Sequence, residues 1–330
     1  MSRHTHEARK IHETILNTDD ILVVSHQNPD GDTLGSASAM ATFLSRIGKR
    51  HRLYCASPVP KQYGFLPSAS VVRNDPVIWD NAYNLVIVLD SSNTAYAGIE
   101  EKLTGLKTKP LLVNIDHHAT NARYGDLNLV VPTASSTAEV LYGFFIANKI
   151  EVNDEMATGL LTGIITDTDM FSNGGTTKSS MAIAGELMKK RADIKIIKEY
   201  LLFDKPINAL KLLGAILGRL RIHPETDIAY TYFTQADLKN YSVLEEEVEG
   251  VANLLNFLSE GVAAMVLKEK KDGVFKASLR TTRPDYNVAE IAKLFDGGGH
   301  IKAAGFSLEA VSAESAFEII FAAVGKSINL

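Results

Sequence analysis

The stretch ILVVSHQNPDGDTLGS, residues 21–36, joins an apolar run to a cluster of polar residues. Its first four residues are apolar and mostly β-branched, which predicts a buried strand. His26, Asp30 and Asp32 follow, and in doubly wound sheets the loops at the carboxyl ends of the strands face the ligand. Two carboxylates that lie close together repel each other unless a proton or a cation lies between them. The stretch therefore predicts a strand that leads into a polar site.

The same pattern recurs further along the chain. Apolar strands are predicted at residues 20–26, 84–90 and 110–116. Each of them ends in an acid or a histidine, namely His26, Asp90 and Asp116. Helical periodicity follows at 136–149, 154–166 and 177–191, and Ser136 with Glu139 matches a capping box. Alternating strands and helices predict an α/β fold with a doubly wound, mostly parallel sheet, and they bring the three polar strand ends together.

Beyond residue 222 the pattern changes to a smaller α/β unit. Segment 201–222 reads as a long helix after Pro206 and predicts a bridge between domains. The elements predicted after it are a strand at 228–233, a helical segment at 245–258, a hairpin at 262–280 with its turn at Asp272-Gly273, a helix at 287–295, a strand near 303–310 and a helix at 312–325. The sequence thus predicts a catalytic domain at 1–195, a helical linker at 196–222 and a substrate-binding domain at 223–330, with a cleft between the two domains.

Composition limits the class of protein. The 330 residues are 45% hydrophobic and 22% charged, a globular and not a disordered mixture. The net charge of −5 gives no sign of bulk nucleic-acid binding, so attraction to phosphate must be local. One cysteine, Cys55, favours a reducing compartment. Because neither a signal peptide nor a membrane span is apparent, we expect a cytoplasmic protein with no membrane partner.

Two further segments carry side chains suited to chemistry. In NIDHHATN, residues 114–121, the adjacent His117 and His118 must point in different directions, so one can face a metal and the other a substrate. Taken alone, the tripeptide is a weak signal, because it more often reflects one buried, hydrogen-bonded histidine and one solvated histidine. In GIITDTDMF, residues 163–171, a helix ends in Asp167 and Asp169. Negative charge is electrostatically unfavourable at the C-terminal end of a helix, so we expect a positively charged group nearby.

Together these segments supply imidazole and carboxylate groups at the ends of core elements. The candidate ligands are His26, Asp30, Asp32, Asp90, His117 and Asp167. Such a set suits Mn²⁺, and Mg²⁺, Co²⁺ or Fe²⁺ also fit, whereas structural zinc favours cysteine. Six ligands exceed the need of one open catalytic ion but suit two ions that share a carboxylate. Two ions about 3.5–4 Å apart are the usual device for hydrolysing phosphate esters.

The ordered motifs resemble a known family. HQNPDGD, VLDSS, NIDHHATN and GIITDTDMF resemble in order the four motifs of the DHH phosphoesterase superfamily, and GGGHIKAAGF resembles the glycine-rich signature of its associated C-terminal domain. The resemblance covers nearly the whole chain. In length and domain content the chain is most similar to the branch of nano-RNases and 3′-phosphoadenosine 5′-phosphate (pAp) phosphatases.

The resemblance implies two Mn²⁺ ions per subunit, with Asp90 shared between them. One ion would be held by His26, Asp30 and Asp90, and the other by Asp32, Asp90, His117 and Asp167. It also implies that His118 contacts the scissile phosphate and that Asp116 orients its neighbours. One departure concerns Asp169, because members of the family often have glycine there.

The C-terminal signature has a physical rationale of its own. Gly297, Gly298 and Gly299 allow positive φ and close approach to a ligand, and successive N–H groups can form an anion-binding nest. His300 adds a donor, and Arg280 lies upstream in the predicted hairpin. A glycine run can equally be a flexible turn. We predict that Arg280 and His300 bind substrate.

The leading hypothesis is a two-metal phosphohydrolase that cleaves short oligoribonucleotides such as pApA and pGpG to mononucleotides and also dephosphorylates pAp. A soluble cyclic-di-AMP phosphodiesterase shares the motifs and is the nearest alternative. Pyrophosphatases and exopolyphosphatases lack this tail, and RecJ-like exonucleases are larger. A non-catalytic nucleotide-binding module is the alternative from another class, although all six proposed ligands are intact. Family members often form dimers, so the resemblance also suggests a homodimer.

Overall fold

The computed structural model describes residues 3–106, 108–203, 206–248, 250–270 and 273–328. It divides into two compact units, Met1–Asp204 and Lys205–Leu330, each with its own sheet. Within the described ranges, no helix combines the length and the low charge that crossing a bilayer requires.

The first unit is built on a six-stranded sheet whose neighbouring strands all run parallel. Its strands are β1 (Ile21–Ser25), β2 (His51–Cys55), β3 (Val72–Arg73), β4 (Leu85–Leu89), β5 (Leu111–Asp116) and β6 (Leu127–Val130). The spatial order β3-β2-β1-β4-β5-β6 places β1, β4 and β5 side by side. The predicted parallel α/β fold is confirmed, and the three predicted polar strand ends lie on adjacent strands.

Alternate residues of the central strands enter different cores. In β1, Ile21 and Val23 pack with the long helices, whereas Leu22 and Val24 pack on the opposite face around Trp79. The helices of this unit are α1 (Arg3–Leu16), α2 (Gly31–Arg46), α3 (Glu100–Thr104), α4 (Thr137–Ala147), α5 (Asp154–Asp167), α6 (Lys178–Lys189) and α7 (Ile194–Lys198). Both faces of the sheet are therefore covered, which explains why the strands read as continuous apolar runs.

The second unit contains a mixed six-stranded sheet. Its strands are β7 (Arg221–Ile222), β8 (Ile228–Phe233), β9 (Ala263–Glu269), β10 (Val274–Arg280), β11 (Gly298–His300) and β12 (Ala303–Glu309), in the order β11-β12-β10-β9-β8-β7. Its helices are α8 (Ile207–Gly218), α9 (Gln235–Tyr241), α10 (Val251–Leu254), α11 (Val288–Lys293) and α12 (Ala313–Ile328). Among the described residues of this unit, only β8 and β9 pair in parallel. The predicted second α/β unit is present.

Some boundaries in the second unit differ from the sequence predictions. The helix predicted to reach residue 222 ends at Gly218, because Arg221 and Ile222 pair with β8 as an edge strand. Helix α8 also packs its Leu212 and Ile216 into the core of this unit. Its side chains therefore stabilise that core, although the sequence assigned the segment to a linker.

Two further predictions concern turns. The helical segment predicted at 245–258 is broken at Gly250, whose φ of +89° separates a 3₁₀ turn from α10. The hairpin of β9 and β10 is antiparallel as predicted. Asp272 of its predicted turn lies outside the described residues, and Gly273 has a φ of +74°.

Candidate metal centre

The carboxyl ends of β1, β4 and β5 supply the first part of the centre. His26 follows β1 directly, Asp90 follows β4, and Asp116 is the last residue of β5. The Thr33 hydroxyl accepts from the His26 N–H at 3.3 Å and donates to the Leu89 carbonyl at 3.2 Å, which ties the ends of β1 and β4 together. Neighbouring parallel strands thus bring these side chains to one edge of the sheet.

Helices α2 and α5 supply the remaining carboxylates. Asp30 caps α2, and its Oδ1 accepts from the N–H groups of Asp32 and Thr33 at 3.0 and 3.1 Å. The two helices cross closely, since a Cβ at Gly35 would lie 2.2 Å from the Gly159 carbonyl oxygen. This contact brings Asp32, in the first turn of α2, towards Asp167 at the end of α5.

The first predicted ligand set is brought together around one oxygen of Asp90. The Nε2 of His26 lies 3.4 Å from Asp90 Oδ2 and 3.6 Å from Asp30 Oδ1. His26 and Asp90 are each 2% exposed, and the Asp30 side chain is half exposed. One ligand atom from each of the three residues lies within 4.8 Å of the others, a spacing that can hold a metal ion.

The other oxygen of Asp90 faces the second predicted set through His117. The Nε2 of His117 lies 3.7 Å from Asp90 Oδ1 and 3.1 Å from Asp167 Oδ2. Asp32, His117 and Asp167 offer ligand atoms within 4.8 Å of one another. Asp90 therefore directs Oδ2 towards one set and Oδ1 towards the other, which is the arrangement that a carboxylate shared by two ions requires.

Buried Asp32 is held by a helix that sequence analysis did not connect with it. Its Oδ2 accepts from the Thr137 N–H at 2.6 Å and its Oδ1 from the Ala138 N–H at 2.9 Å, at the N-terminus of α4. The Thr137 hydroxyl donates to Asp90 Oδ1 at 2.9 Å. The positive end of a helix macrodipole stabilises negative charge. The N-terminus of α4 therefore helps Asp32 to tolerate the neighbouring carboxylates, in addition to any cation.

The imidazole rings are oriented by backbone carbonyls. His26 Nδ1 lies 2.8 Å from the Gln27 carbonyl oxygen, and His117 Nδ1 lies 3.3 Å from that of Ala134. A carbonyl oxygen accepts, so we assign the proton of each neutral ring to Nδ1. Nε2 of each neutral ring is then the nitrogen that a metal ion lying among the carboxylates would bind.

Excess negative charge governs the electrostatics of the cluster. Burial lowers the pKa of His26, but hydrogen bonds and charge from Asp30 and Asp90 outweigh it and raise the pKa to about 12. Burial also lowers the pKa of His117, but the carboxylates around this ring outweigh burial and raise the pKa to about 10. Burial and then the charge of Asp90 raise the pKa of Asp32. The three raised pKa values show that the site favours added positive charge. Its oxygen and nitrogen donors fit divalent metal ions.

His118 and Asp116 form a pair beside the cluster. His118 Nδ1 lies 2.7 Å from Oδ1 of Asp116, which is fully buried, while 40% of the His118 side chain is exposed. Asp116 Oδ1 also accepts from the His117 N–H at 2.8 Å, and Oδ2 accepts from Asn121 Nδ2 at 2.5 Å. The bond to Asp116 raises the pKa of His118 against the effect of burial. Asp116 is positioned to orient both histidines, and Nε2 of His118 is left for another partner.

Asp169, where family members often have glycine, lies in a left-handed segment of the backbone. Asp169, Met170 and Phe171 have φ values of +48°, +57° and +65°, three successive left-handed residues. The backbone here turns back, with the Ser172 N–H donating to the Thr168 carbonyl at 3.0 Å. Left-handed φ favours glycine over other residues. The glycine that family members often have at this position therefore matches what the backbone requires.

The predicted substrate-binding residues Arg280 and His300 lie on the same sheet of the second unit. Arg280 of β10 and His300 of β11 both pair with Ala303 of β12, so the three form one row on one face of the sheet. Arg280 Nε donates to Asn253 Oδ1 at 2.8 Å. Two strand spacings separate the backbones of Arg280 and His300 by about 10 Å.

The glycine run is neither a flexible turn nor a run of positive φ angles. Gly298–His300 forms a strand, and only Gly299 of the three glycines has a positive φ, +143°. A Cβ would lie 2.4 Å from the Gly305 carbonyl oxygen at Gly297 and 2.5 Å from that of Ala303 at Gly299. These two glycines are required for close packing against β12, whereas a Cβ at Gly298 would meet open space.

Several residues of the centre were not predicted from the sequence. Thr137 contacts Asp90, and Asn121 contacts Asp116. Only the position of these two residues inside or next to a motif could have indicated that they belong to the site. Tyr96 was also missed, although its ring centroid lies 5.0 Å from that of His26. Burial and the charges of Asp30, Asp90 and Asp167 raise the pKa of Tyr96, against the opposing effect of His26. Its hydroxyl therefore lies in the field of the cluster.

Ser136 is the N-cap of α4, as predicted, with its hydroxyl accepting from the Glu139 N–H at 3.1 Å. The reciprocal half of the predicted capping box differs. Glu139 Oε2 accepts from the N–H and the hydroxyl of Ser135, at 2.9 and 2.8 Å, and not from the Ser136 N–H. These hydroxyls therefore serve the helix terminus.

Comparisons with known proteins agree with this architecture. Residues 20–164 match the DHH family, N-terminal domain, and residues 227–327 match the DHHA1 domain. A Thermus thermophilus protein named bifunctional oligoribonuclease and PAP phosphatase NrnA is 28% identical over 309 residues, which cover 94% of this chain and 90% of that protein. The Bacillus subtilis protein of the same name is 27% identical over 298 residues, 89% of this chain and 91% of that one.

The fold has a counterpart among solved structures. The crystal structure of an exopolyphosphatase-related protein from Bacteroides fragilis matches with a TM-score of 0.88 over 98% of each chain, at 20% identity. This likeness concerns the fold. The matched motifs, the two domain matches and the relatives that cover most of the chain together identify it as a phosphate-ester hydrolase of the DHH family, in which a DHHA1 domain follows the DHH domain.

Proposed function

We propose that the chain is a Mn²⁺-dependent phosphohydrolase that cleaves short oligoribonucleotides, such as pApA and pGpG, to mononucleotides and also removes the 3′-phosphate of pAp. The observation that carries the proposal is the position of Asp90, whose two oxygens face two different ligand sets. The names of the relatives from Thermus thermophilus and Bacillus subtilis support this substrate class.

The ligand sets would be His26, Asp30 and Asp90 for one ion and Asp32, Asp90, His117 and Asp167 for the other. Two bound divalent ions supply Lewis-acid charge for the phosphoryl oxygens. His118 then contacts the scissile phosphate through Nε2, because Asp116 occupies Nδ1. A carboxylate partner favours the imidazolium form, which donates a charge-assisted hydrogen bond to phosphate.

We further propose that the second unit binds the part of the substrate remote from the cut. Arg280 and His300 lie in one row of the sheet and present a guanidinium and an imidazole to the same face. Gly298, where a side chain would meet open space, leaves the backbone of β11 accessible for close approach. A terminal phosphate is the group that these donors recognise.

Location and assembly are part of the same proposal. The single thiol, Cys55, is buried and free, which supports a reducing, cytoplasmic setting. A homodimer stays a prediction from the family resemblance.

The test is a parallel assay of the full chain with Mn²⁺ on pAp, pApA, pGpG, cyclic-di-AMP, pyrophosphate and a long single strand. We expect rapid hydrolysis of the dinucleotides and of pAp, loss of activity in EDTA and best recovery with Mn²⁺. Preference for cyclic-di-AMP would favour the alternative phosphodiesterase. Nucleotide binding without hydrolysis of any substrate would favour the non-catalytic module.

His300→Ala tests the role of the second unit. It should reduce kcat/KM for pApA about tenfold to a hundredfold, the range for loss of a charge-assisted contact. Hydrolysis of bis-p-nitrophenyl phosphate, which has no remote phosphate, should stay near the wild-type rate. Equal losses on both substrates would place His300 in the catalytic step and would contradict the proposed role.

A further inference from the structure

Tyr96 lies beside the metal centre, but none of the family motifs quoted above contains it. Its ring lies over that of His26, with centroids 5.0 Å apart and planes inclined by 32°. The residue is 42% exposed, whereas His26 beneath it is 2% exposed. Tyr96 thus covers one ligand of the first set and faces outwards.

The backbone around Tyr96 is fixed. Its N–H donates to Asn93 Oδ1 at 2.7 Å, and its carbonyl accepts from the Gln27 N–H at 3.3 Å. The following residues Ala97 and Ile99 are fully buried in the core on that side of the sheet. These contacts fix the backbone at Tyr96 and place its ring beside that of His26.

The hydroxyl of Tyr96 has no hydrogen-bond partner among the residues that the structure describes. At neutral pH a phenol is a hydrogen-bond donor that carries no charge. The groups around it are acidic, so an oxygen-rich anion enters this centre only together with cations. The oxygens of a phosphate bound there would be acceptors for the Tyr96 hydroxyl.

We propose that Tyr96 is a substrate-binding residue, whose hydroxyl donates a hydrogen bond to a non-bridging oxygen of the phosphate held at the first ligand set. The proposal rests on the proposed function, because it requires a phosphate ester at the cluster. The contact is to phosphate and not to a base, so it serves every substrate of the enzyme alike.

Tyr96→Phe tests the contact, because it keeps the ring over His26 and removes only the hydroxyl. With the Mn²⁺-loaded full chain, kcat/KM should fall about tenfold to a hundredfold on both pApA and bis-p-nitrophenyl phosphate, the range for hydrogen bonds to charged groups. Calorimetry should show weaker binding of AMP, and the number of bound Mn²⁺ ions should be unchanged. Tyr241→Phe, which removes a hydroxyl in the second unit, is the matched control and should behave as wild type.

Wild-type kcat/KM and wild-type AMP affinity in Tyr96→Phe would overturn the proposal. Loss of bound Mn²⁺ in this variant would also overturn it, since the hydroxyl would then act through His26. If the wild type hydrolyses neither ester, the proposed function fails, and the AMP measurement still decides whether the hydroxyl contacts phosphate.

Discussion

At the scale of single residues, the charge on Asp116 controls His118. Asp116→Asn keeps the shape of the side chain but weakens the 2.7 Å bond to His118 Nδ1. The pKa of His118 should fall, since that bond is the main cause that raises it. We expect kcat to drop about tenfold to a hundredfold, as for other residues that orient an active-site ligand. Kinetics combined with metal analysis should show unchanged Mn²⁺ content, and an unchanged kcat would contradict the assignment.

Asp169 tests how backbone conformation selects a residue. At a φ of +48° a side chain costs about 1–2 kcal/mol relative to glycine. Asp169→Gly should therefore be more stable than Asp169→Ala by about that amount, and no less stable than wild type. Urea unfolding of the three proteins measures the difference. A more stable alanine variant would show that this segment is not left-handed in solution.

At the scale of elements, the crossing of α2 and α5 sets the distance between Asp32 and Asp167. In Gly35→Ala the new Cβ would lie 2.2 Å from the Gly159 carbonyl oxygen, so the helices must move apart. We expect a loss of about 1–3 kcal/mol in unfolding free energy, which is typical of overpacking, and weaker Mn²⁺ binding.

Gly143→Ala is the matched control for this crossing. Gly143 also lies within a helix, α4, but its new Cβ would meet nothing within 4 Å. Alanine should there stabilise by up to about 1 kcal/mol through helix propensity and leave Mn²⁺ affinity unchanged. Equal effects of the two substitutions would show that the crossing does not set the metal centre.

The corner between α8 and α9 predicts a pH dependence of stability. Arg219 donates to both oxygens of Asp237, at 2.6 and 2.7 Å, and this bond holds the pKa of Asp237 below its usual 3.8 against the effect of burial. A lowered pKa stabilises the fold at pH values above the unfolded pKa, and this stability is lost as the pH falls through the folded pKa.

The free energy of unfolding of Asp237→Asn should therefore be about 1.5–3 kcal/mol lower than that of wild type at pH 7. This difference should shrink below pH 4. Urea titrations at both pH values measure it. Asp285→Asn, at an exposed carboxylate, is the control and should follow wild type at both. A deficit that does not change with pH would place the effect in lost packing and not in charge.

At the scale of the whole molecule, the sequence predicted what depends on pattern and order. Apolar runs that end in His26, Asp90 and Asp116 gave the strands of the parallel sheet, because strands buried on both faces read as continuous apolar segments. Adjacent strand ends then implied that these residues meet. The assignment of each ligand to one of two ions came from the family resemblance.

What the sequence could not predict depends on contacts between distant segments. Nothing near Asp32 indicates that the N-terminus of α4, 105 residues away, holds its carboxylate. The strand formed by the glycine run could not be predicted, because its φ angles and its pairing are set by packing against β12. Helix α8 was extended too far since the pairing of Arg221 and Ile222 with β8 outweighs the apolar helical pattern.

The most direct test of the central claim counts Mn²⁺ ions per chain after gel filtration, in wild type and in Asp90→Asn, together with hydrolysis of pApA. Asparagine tolerates the left-handed φ of +59° at this position, so the substitution removes charge without new strain. We predict two ions and activity for the wild type, and fewer than two ions and no activity for Asp90→Asn. Two tightly held ions and retained hydrolysis in Asp90→Asn would contradict a centre built on a shared carboxylate.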